Sequence, residues 1–117
     1  MAGLLTTHIL DTSKGFPAVG VVIELFKRCN DNNVIVTKNR TNSDGRTDNP
    51  ILSKEDFEIG EYELNFHVGD YFKDTYPTTN PTVFFNIIPV RFLIIEDRHY
   101  HVPLLLSPFG YSTYRGS

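Results

Sequence analysis

The sequence predicts an all-β fold, an antiparallel β-sandwich of seven to eight short strands with one short helix. Three observations lead to this prediction. Short segments rich in apolar and β-branched residues recur along the chain, and several of them alternate between apolar and polar positions. Clusters of Gly, Asn, Asp, Ser and Pro separate these segments as turns. The length of 117 residues indicates a single domain, residues 1–117.

The first half of the chain is predicted to contain three strands. Leu4–Asp11 is the first strand, followed by a turn-rich loop. Gly20–Cys29 and Val34–Thr41 are expected to form a hairpin, because the asparagines between them tolerate left-handed backbone geometry. The next turn contains Gly45, which can supply a positive φ. Arg46 follows it directly and is therefore predicted to be a positioned cation.

The middle of the chain is predicted to run from a long connection into a strand and a helix. Residues 47–60 are polar and mixed, so we interpret them as a connection. Glu61–Val68 alternates strictly, which indicates a strand buried on one face, with His67 directed towards solvent. Asp70–Tyr76 is predicted to be a short helix ended by Pro77, with a loop at residues 78–81.

The last part of the chain is predicted to hold three more strands. Ile87–Ile95 is one, with a proline near its beginning, where a missing amide donor costs least. His99–Leu106 follows and contains Pro103, which predicts an edge position or a bulge. The chain then returns as Tyr111–Ser117, so the last two strands form a hairpin.

The composition of the chain argues against some classes of partner and indicates a compartment. The net charge of −3 and the isoelectric point near 5.7 provide no basic field for nucleic acid. The longest apolar segments are too short to cross a bilayer, so no membrane partner is expected. A single cysteine, Cys29, cannot form an internal disulfide. The lone cysteine indicates a reducing compartment, so the expected location is the cytoplasm, with the peroxisome left open for a eukaryotic source.

The histidines are the strongest candidates for chemistry. His99 and His101 are two residues apart on a strand and therefore share one face. Imidazole titrates near neutral pH and can act first as a base and then as an acid. One alternative is that both are simply exposed strand residues. Another is a catalytic zinc held by this pair and His8, with water as the fourth ligand, although Arg46 in the same pocket would repel the metal. Nucleophilic catalysis by Cys29 or a serine is disfavoured, because the sequence has no Gly-x-Ser-x-Gly elbow and Cys29 has no histidine neighbour.

Several motifs together resemble one family. They are Thr7-His-Ile-Leu-Asp11, Gly15-Phe-Pro-Ala18, Asp44-Gly-Arg46, and the stretch from His99-Tyr-His-Val-Pro to the terminal Tyr114-Arg-Gly-Ser117. They are similar to the 5-hydroxyisourate hydrolases of the transthyretin family. Hormone-carrying transthyretins share the Leu-Leu-Ser-Pro and Tyr-Ser-Thr segments but lack the histidines and the Tyr-Arg-Gly-Ser end. The resemblance runs almost from one end of the chain to the other.

The resemblance implies a transthyretin-like sandwich that hydrolyses 5-hydroxyisourate to 2-oxo-4-hydroxy-4-carboxy-5-ureidoimidazoline in urate degradation. It also implies a homotetramer, a dimer of dimers with active sites in a central channel, and no cofactor. Carried over by motif, the catalytic residues are His8, Arg46, His101 and Ser117. The resemblance places His8 and Arg46 in substrate binding as well, with Tyr114 and Arg115, and gives His99 a secondary position.

The chemistry of these side chains agrees with amide hydrolysis. A base must activate water, and a cation or hydrogen-bond donor must stabilise the oxyanion. We expect His101, aided by His8, to be the base, and Arg46 to bind the oxygens of the substrate through its planar guanidinium. Two other functions fit the same residues less completely: a non-catalytic transthyretin-like carrier of a small aromatic ligand, and a zinc-dependent cyclic amidase.

Overall fold

A computed structural model describes residues 3–76 and 83–116. The predictions for Pro77, for the loop at 78–81 and for Ser117 lie outside the described residues. Within that part of the chain, no helix is long and apolar enough to cross a membrane. The elements in chain order are β1 (Leu4–Asp11), β2 (Phe16–Pro17), β3 (Val22–Cys29), β4 (Asn32–Arg40), β5 (Gly60–His67), α1 (Val68–Thr75), β6 (Ile87–Ile94), β7 (His99–Ser107) and β8 (Gly110–Thr113).

The strands form two four-stranded sheets, in the orders β2-β1-β7-β8 and β4-β3-β5-β6. The predicted all-β sandwich with one short helix is therefore confirmed. Neighbouring strands are antiparallel except β1 and β7, which are parallel, from Leu4 opposite His99 to Asp11 opposite Leu106. The expectation of purely antiparallel pairing was wrong for this pair. Strands β1 and β7 are separated in sequence by the whole second sheet, and so long a connection allows the chain to return in the same direction.

Alternation along β1 and β7 decides which side chains face the core. Leu5 and Ile9 of β1 are fully buried, as are Leu104 and Leu106 of β7. Because successive side chains point to opposite faces of a strand, the residues between them point to the outer face of the sheet. Those outward residues include Thr6, His8, His99 and His101. Burial of the core face thus places three of the four histidines on one surface.

Pro103 lies in a strand that is paired on both sides, not at the edge or bulge that the sequence predicted. Its carbonyl accepts a hydrogen bond from Oγ1 of Thr113 at 2.7 Å, so the polar side of its backbone faces β8. Strand β8 ends at Thr113, and its register resumes only where Gly116 pairs with His101. The missing amide of Pro103 therefore falls where the β8 ladder is interrupted, which is why the proline is tolerated.

The helix and the long connection also differ from expectation. Helix α1 begins at Val68, directly after β5, and buries Val68, Tyr71 and Phe72. The 47–60 connection is not only a linker, because Ile51 and Leu52 are buried in the core. The amide of Leu5 donates to the carbonyl of Leu52 at 3.1 Å. This contact holds the connection against β1.

Two other expectations were wrong in detail. His67 does not point freely into solvent: it is half-buried, and its Nε2 lies 2.6 Å from Oε1 of Glu24 on β3. A polar side chain on an outward face pairs with its cross-strand neighbours when charge allows. The last strand is shorter than predicted, because β8 ends at Thr113 and only Gly116 bridges back to β7 among the described residues of the tail.

Candidate active site

Three histidines and a threonine form one hydrogen-bonded cluster on the outer face of β1 and β7, which we call the histidine cluster: Thr6, His8, His99 and His101. In the parallel register Thr6 lies opposite His101. Residues that face each other across two strands bring their side chains into contact. The predicted convergence of His8, His99 and His101 is therefore present in the fold, although His8 lies more than ninety residues before the other two in sequence.

His8 and His101 form the centre of the histidine cluster. Nδ1 of His8 lies 2.8 Å from Nε2 of His101, and the ring planes are inclined by only 22° with centroids 4.9 Å apart, so the rings lie edge to edge and nearly coplanar. Such a contact between two ring nitrogens needs one proton, because one ring must donate and the other accept. The two imidazoles therefore act as a pair that shares a proton.

Thr6 completes the histidine cluster and was not singled out by the sequence. Its Oγ1 lies 2.7 Å from Nδ1 of His101 and 2.7 Å from Nε2 of His99. The signal that could have found it is its position two residues before His8 on the same strand face. One hydroxyl thus connects the exposed His99 to the half-buried His101.

A tight turn delivers Arg46 to the same place. The amide of Asn42 donates to the carbonyl of Arg46 at 2.7 Å, and the Asn42 side chain accepts from the amide of Arg46 at 3.2 Å. Gly45 has φ of 72°, and a Cβ there would meet the carbonyl oxygen of Ile9 at 2.5 Å. That carbon would not fit, so the turn requires glycine. The result is an antiparallel bridge between Arg46 and His8.

Burial and charge lower the basicity of the two central histidines. Desolvation and the Arg46 guanidinium lower the pKa of His8 below its ordinary value of 6.5. Desolvation, followed by His8, Arg46 and His99, lowers the pKa of His101 in the same way. A histidine with a lowered pKa is neutral at pH 7, and the neutral form is the one that can accept a proton. The site is therefore in the protonation state that a general base needs.

The chain end lies against the histidine cluster through its backbone. The amide of Gly116 donates to the carbonyl of His101 at 2.7 Å. A Cβ at Gly116 would approach Cδ2 of His101 to 2.8 Å, so a larger residue would displace the ring. Arg115 instead stacks over Tyr100, with its guanidinium carbon 5.7 Å from the ring centroid, and Tyr114 is 55% exposed. Arg115 and Tyr100 border an apolar pocket of 220 Å³ with Tyr114.

The structure thus brings together four of the predicted site residues within one chain, His8, Arg46, His99 and His101. It does not bring the Arg115 guanidinium to them in the same chain. A second pocket, of 170 Å³, adjoins the histidine cluster at Thr6. The residues bordering it are Thr6, Thr7, Arg46, Thr47, Asp48, Asn49 and Pro50.

The histidine cluster does not fit the zinc site that the sequence allowed. Two nitrogens bound to one tetrahedral zinc would be separated by about 3.3 Å, with both lone pairs directed at the metal. Here the facing nitrogens of His8 and His101 are 2.8 Å apart and directed at each other. Across residues 3–76 and 83–116, no three His, Cys, Asp or Glu side chains are arranged to hold a metal ion.

Comparison with known proteins agrees with this fold. The sequence profile described as the HIUase/transthyretin family matches residues 5–116. A protein named 5-hydroxyisourate hydrolase 2 from Rhizobium meliloti is 50% identical, over 99% of this chain and 98% of its own. The structure of 5-hydroxyisourate hydrolase from Klebsiella pneumoniae superimposes with a TM-score of 0.82 at 35% identity, over 98% of this chain and 99% of that one.

Two further structures broaden the comparison. A structure of (S)-allantoin synthase has a TM-score of 0.89 at 42% identity over 99% of this chain, which spans 44% of the length of that protein. Sea bream transthyretin in complex with thyroxine has a TM-score of 0.86 at 29% identity, over 96% of this chain and 93% of that one. The profile match and the full-length relatives show that the chain belongs to the HIUase/transthyretin family.

Proposed function

We propose that this chain hydrolyses the ring amide of 5-hydroxyisourate to 2-oxo-4-hydroxy-4-carboxy-5-ureidoimidazoline in urate degradation. The observation that carries the proposal is the His8–His101 pair, joined at 2.8 Å, beside Arg46, whose backbone pairs with that of His8 and whose charge acts on both rings. A pair of neutral imidazoles beside a guanidinium provides a base and an oxyanion partner. The name of the Rhizobium meliloti relative, which matches this chain almost from end to end, supports the same activity.

The hydrogen bonds favour His8 as the residue that contacts water. Both ring nitrogens of His101 are engaged, Nε2 by His8 and Nδ1 by Thr6. Among the described residues, Nε2 of His8 has no hydrogen-bond partner, so it is available to take a proton from water. We therefore propose that the role of base, which the sequence assigned to His101, is shared by two residues: His8 contacts the water, and His101 contacts His8.

Hydrolysis then follows the usual course for an amide. The hydroxide formed at His8 attacks the ring carbonyl carbon, and the carbonyl oxygen becomes an oxyanion. Arg46 binds that oxygen and stabilises its charge through its planar donors. The carbon–nitrogen bond breaks as the leaving nitrogen takes the proton from Nε2 of His8, which regains its free lone pair. These steps require the chain's own residues and water, and no cofactor.

We further propose that the site is completed in a homotetramer, a dimer of dimers with a central channel, in which Tyr114, Arg115 and Ser117 contact the substrate. The 170 Å³ pocket of one chain is smaller than the roughly 300–1,000 Å³ of ordinary ligand pockets, which supports a second wall from a partner. Deleting residues 114–117 is expected to abolish turnover while circular dichroism still reports a β fold. Sedimentation velocity of the intact chain at a monomer mass would contradict the tetramer.

We also propose a cytoplasmic location, or a peroxisomal one if the source is eukaryotic. The single cysteine, Cys29, is exposed and free, as expected in a reducing compartment. Fractionation of the source cells, followed by immunoblotting of each compartment, tests this placement.

One assay tests the activity directly. 5-Hydroxyisourate is generated in the cuvette by urate oxidase, and its ultraviolet absorbance is followed with and without this protein. We expect the protein to accelerate the decay strongly, and to do so equally after exhaustive dialysis against a chelator. Decay at the uncatalysed rate would contradict the proposal and favour a non-catalytic carrier. Loss of activity on chelation that returns with zinc would instead establish the zinc-dependent amidase.

A further inference from the structure

Three consecutive hydrogen bonds connect the His8–His101 pair to the surface of the protein. Nδ1 of His8 lies 2.8 Å from Nε2 of His101, whose Nδ1 lies 2.7 Å from Oγ1 of Thr6. The same Oγ1 lies 2.7 Å from Nε2 of His99, an exposed residue at the start of β7. All three distances are short enough for direct hydrogen bonds. The base pair is thus connected to a third imidazole at the surface.

The hydrogen bonds that join His8, His101, Thr6 and His99 can all be donated in the same direction. A neutral imidazole donates from one ring nitrogen and accepts at the other, and a threonine hydroxyl can do both at once. When His8 donates to His101, His101 can donate to Thr6, and Thr6 can donate to His99. Nε2 of His8 is then left with its lone pair free, which is the state that the base requires.

We infer that Thr6 and His99 extend the catalytic base, forming a proton relay that carries the proton taken from water away from Arg46 to the surface. This inference rests on the proposed hydrolase function and deepens it. Thr6 is a positioning and relay residue, since it acts on the base through Nδ1 of His101. His99, which the sequence left in a secondary position, is the terminal proton acceptor.

The proton balance of the relay is complete. Nε2 of His8 takes a proton from water, and the Nδ1 proton of His8 passes to Nε2 of His101. The Nδ1 proton of His101 passes to Thr6, and the hydroxyl proton of Thr6 passes to Nε2 of His99. His99 becomes an imidazolium, while His8, His101 and Thr6 stay neutral with every hydrogen bond reversed. When His8 protonates the leaving nitrogen, the same transfers run backwards and His99 is neutral again.

Electrostatics favour moving this charge outward. The charged or titratable groups that act on His101 come from the turn, which carries Arg46, from β1, which carries His8, and from β7, which carries His99. A proton held on His8 or His101 would face the Arg46 guanidinium in a partly desolvated site. At the exposed His99, water solvates the charge and weakens that repulsion.

The test compares variants of the two relay residues in the full-length protein. Thr6→Val removes the hydroxyl with little change in shape and is expected to lower kcat roughly tenfold, a fraction of what a positioned base contributes, with KM unchanged. Thr6→Ser keeps the hydroxyl and is expected to retain most of the rate. Thr12→Val is the matched control, because Thr12 donates to the carbonyl of Leu106 at 3.1 Å, outside the histidine cluster.

The variant His99→Ala distinguishes two roles for Thr6 and His99: relaying a proton, or only holding the His101 ring in position. We expect a loss of kcat similar to that of Thr6→Val, and no further loss when the two changes are combined. Imidazole added to the buffer should restore His99→Ala, because it can accept the proton from Thr6, but should not restore the double variant. Wild-type kcat in Thr6→Val or in His99→Ala, with the wild-type protein active, would overturn the relay alone. An inactive wild-type protein would overturn the hydrolase function on which it rests.

Discussion

Replacing Arg46 with glutamine is expected to lower kcat/KM for 5-hydroxyisourate by roughly 10²–10³-fold, the effect of removing one oxyanion donor. Within residues 3–76 and 83–116, the turn that carries Arg46 is held by hydrogen bonds of the backbone and of the Asn42 side chain, and not by the guanidinium, so the variant should fold normally. Glutamine can still donate one hydrogen bond, but it lacks the charge and the planar pair of donors. Steady-state kinetics of the ultraviolet decay measure the effect.

The same variant is expected to shift the pH profile. Arg46 lowers the pKa of both His8 and His101, so removing its charge raises both pKa values. A base works only when it is neutral, which is above its pKa. The wild-type profile should therefore rise to a plateau from an acid limb below pH 6.5, and the limb of Arg46→Gln should lie at higher pH. The loss of activity will then be larger at acid pH than at alkaline pH.

Arg98→Gln is the matched control for Arg46→Gln. Arg98 lies in the turn between β6 and β7, and its Nη1 contacts Oε1 of Glu96 at 2.9 Å. An exposed ion pair of this kind contributes little to stability. We expect wild-type kinetics and an unchanged pH profile. Equal losses in both arginine variants would point to a general effect of charge and contradict the role assigned to Arg46.

Replacing His101 with alanine is expected to lower kcat by roughly 10²–10⁴-fold, which is the contribution of a positioned general base. The substitution removes the ring that lies edge to edge with His8 and the nitrogen that accepts its proton. His8→Ala should cause a loss of the same order. Because the two rings act as a pair, the double variant should be little worse than either single variant.

His67→Ala is the control for both histidine variants. His67 lies on the other sheet and pairs with Glu24, so its loss should leave turnover unchanged. Thermal unfolding of each variant shows whether a lost rate reflects a lost fold. Fully additive losses in the double variant would contradict a shared proton, and wild-type turnover in His101→Ala would remove the histidine cluster from the mechanism.

Alternation and turn chemistry allowed most of the fold to be predicted. Strand β5 buries Tyr62, Leu64 and Phe66 on the side that the pattern indicated, and Gly45 has the positive φ that its turn requires. The family resemblance was confirmed by the profile match and by the relatives. The parallel pairing of β1 with β7 was not predicted, because no local pattern encodes which distant strand becomes a neighbour.

The candidate site could likewise be predicted only where it depends on residues close together in sequence. His99 and His101 could be assigned to one face from their spacing alone, because side chains on a strand alternate. Spacing alone places Thr6 on the same face as His8, but its role also depends on lying opposite His101 across two strands, which the sequence does not show. Ser117 and Tyr114 stay predictions, and the placement of Arg115 over Tyr100 within one chain was not foreseen.

By itself, the sequence determined the strands, the turn that presents Arg46 and the shared face of His99 and His101, because these depend on neighbours a few residues apart. Only the tertiary structure decided that His8 contacts His101, that Thr6 connects His101 to His99, and that Gly116 packs against the His101 ring. These contacts depend on the β1–β7 register, which is set by burial of the core faces of both strands.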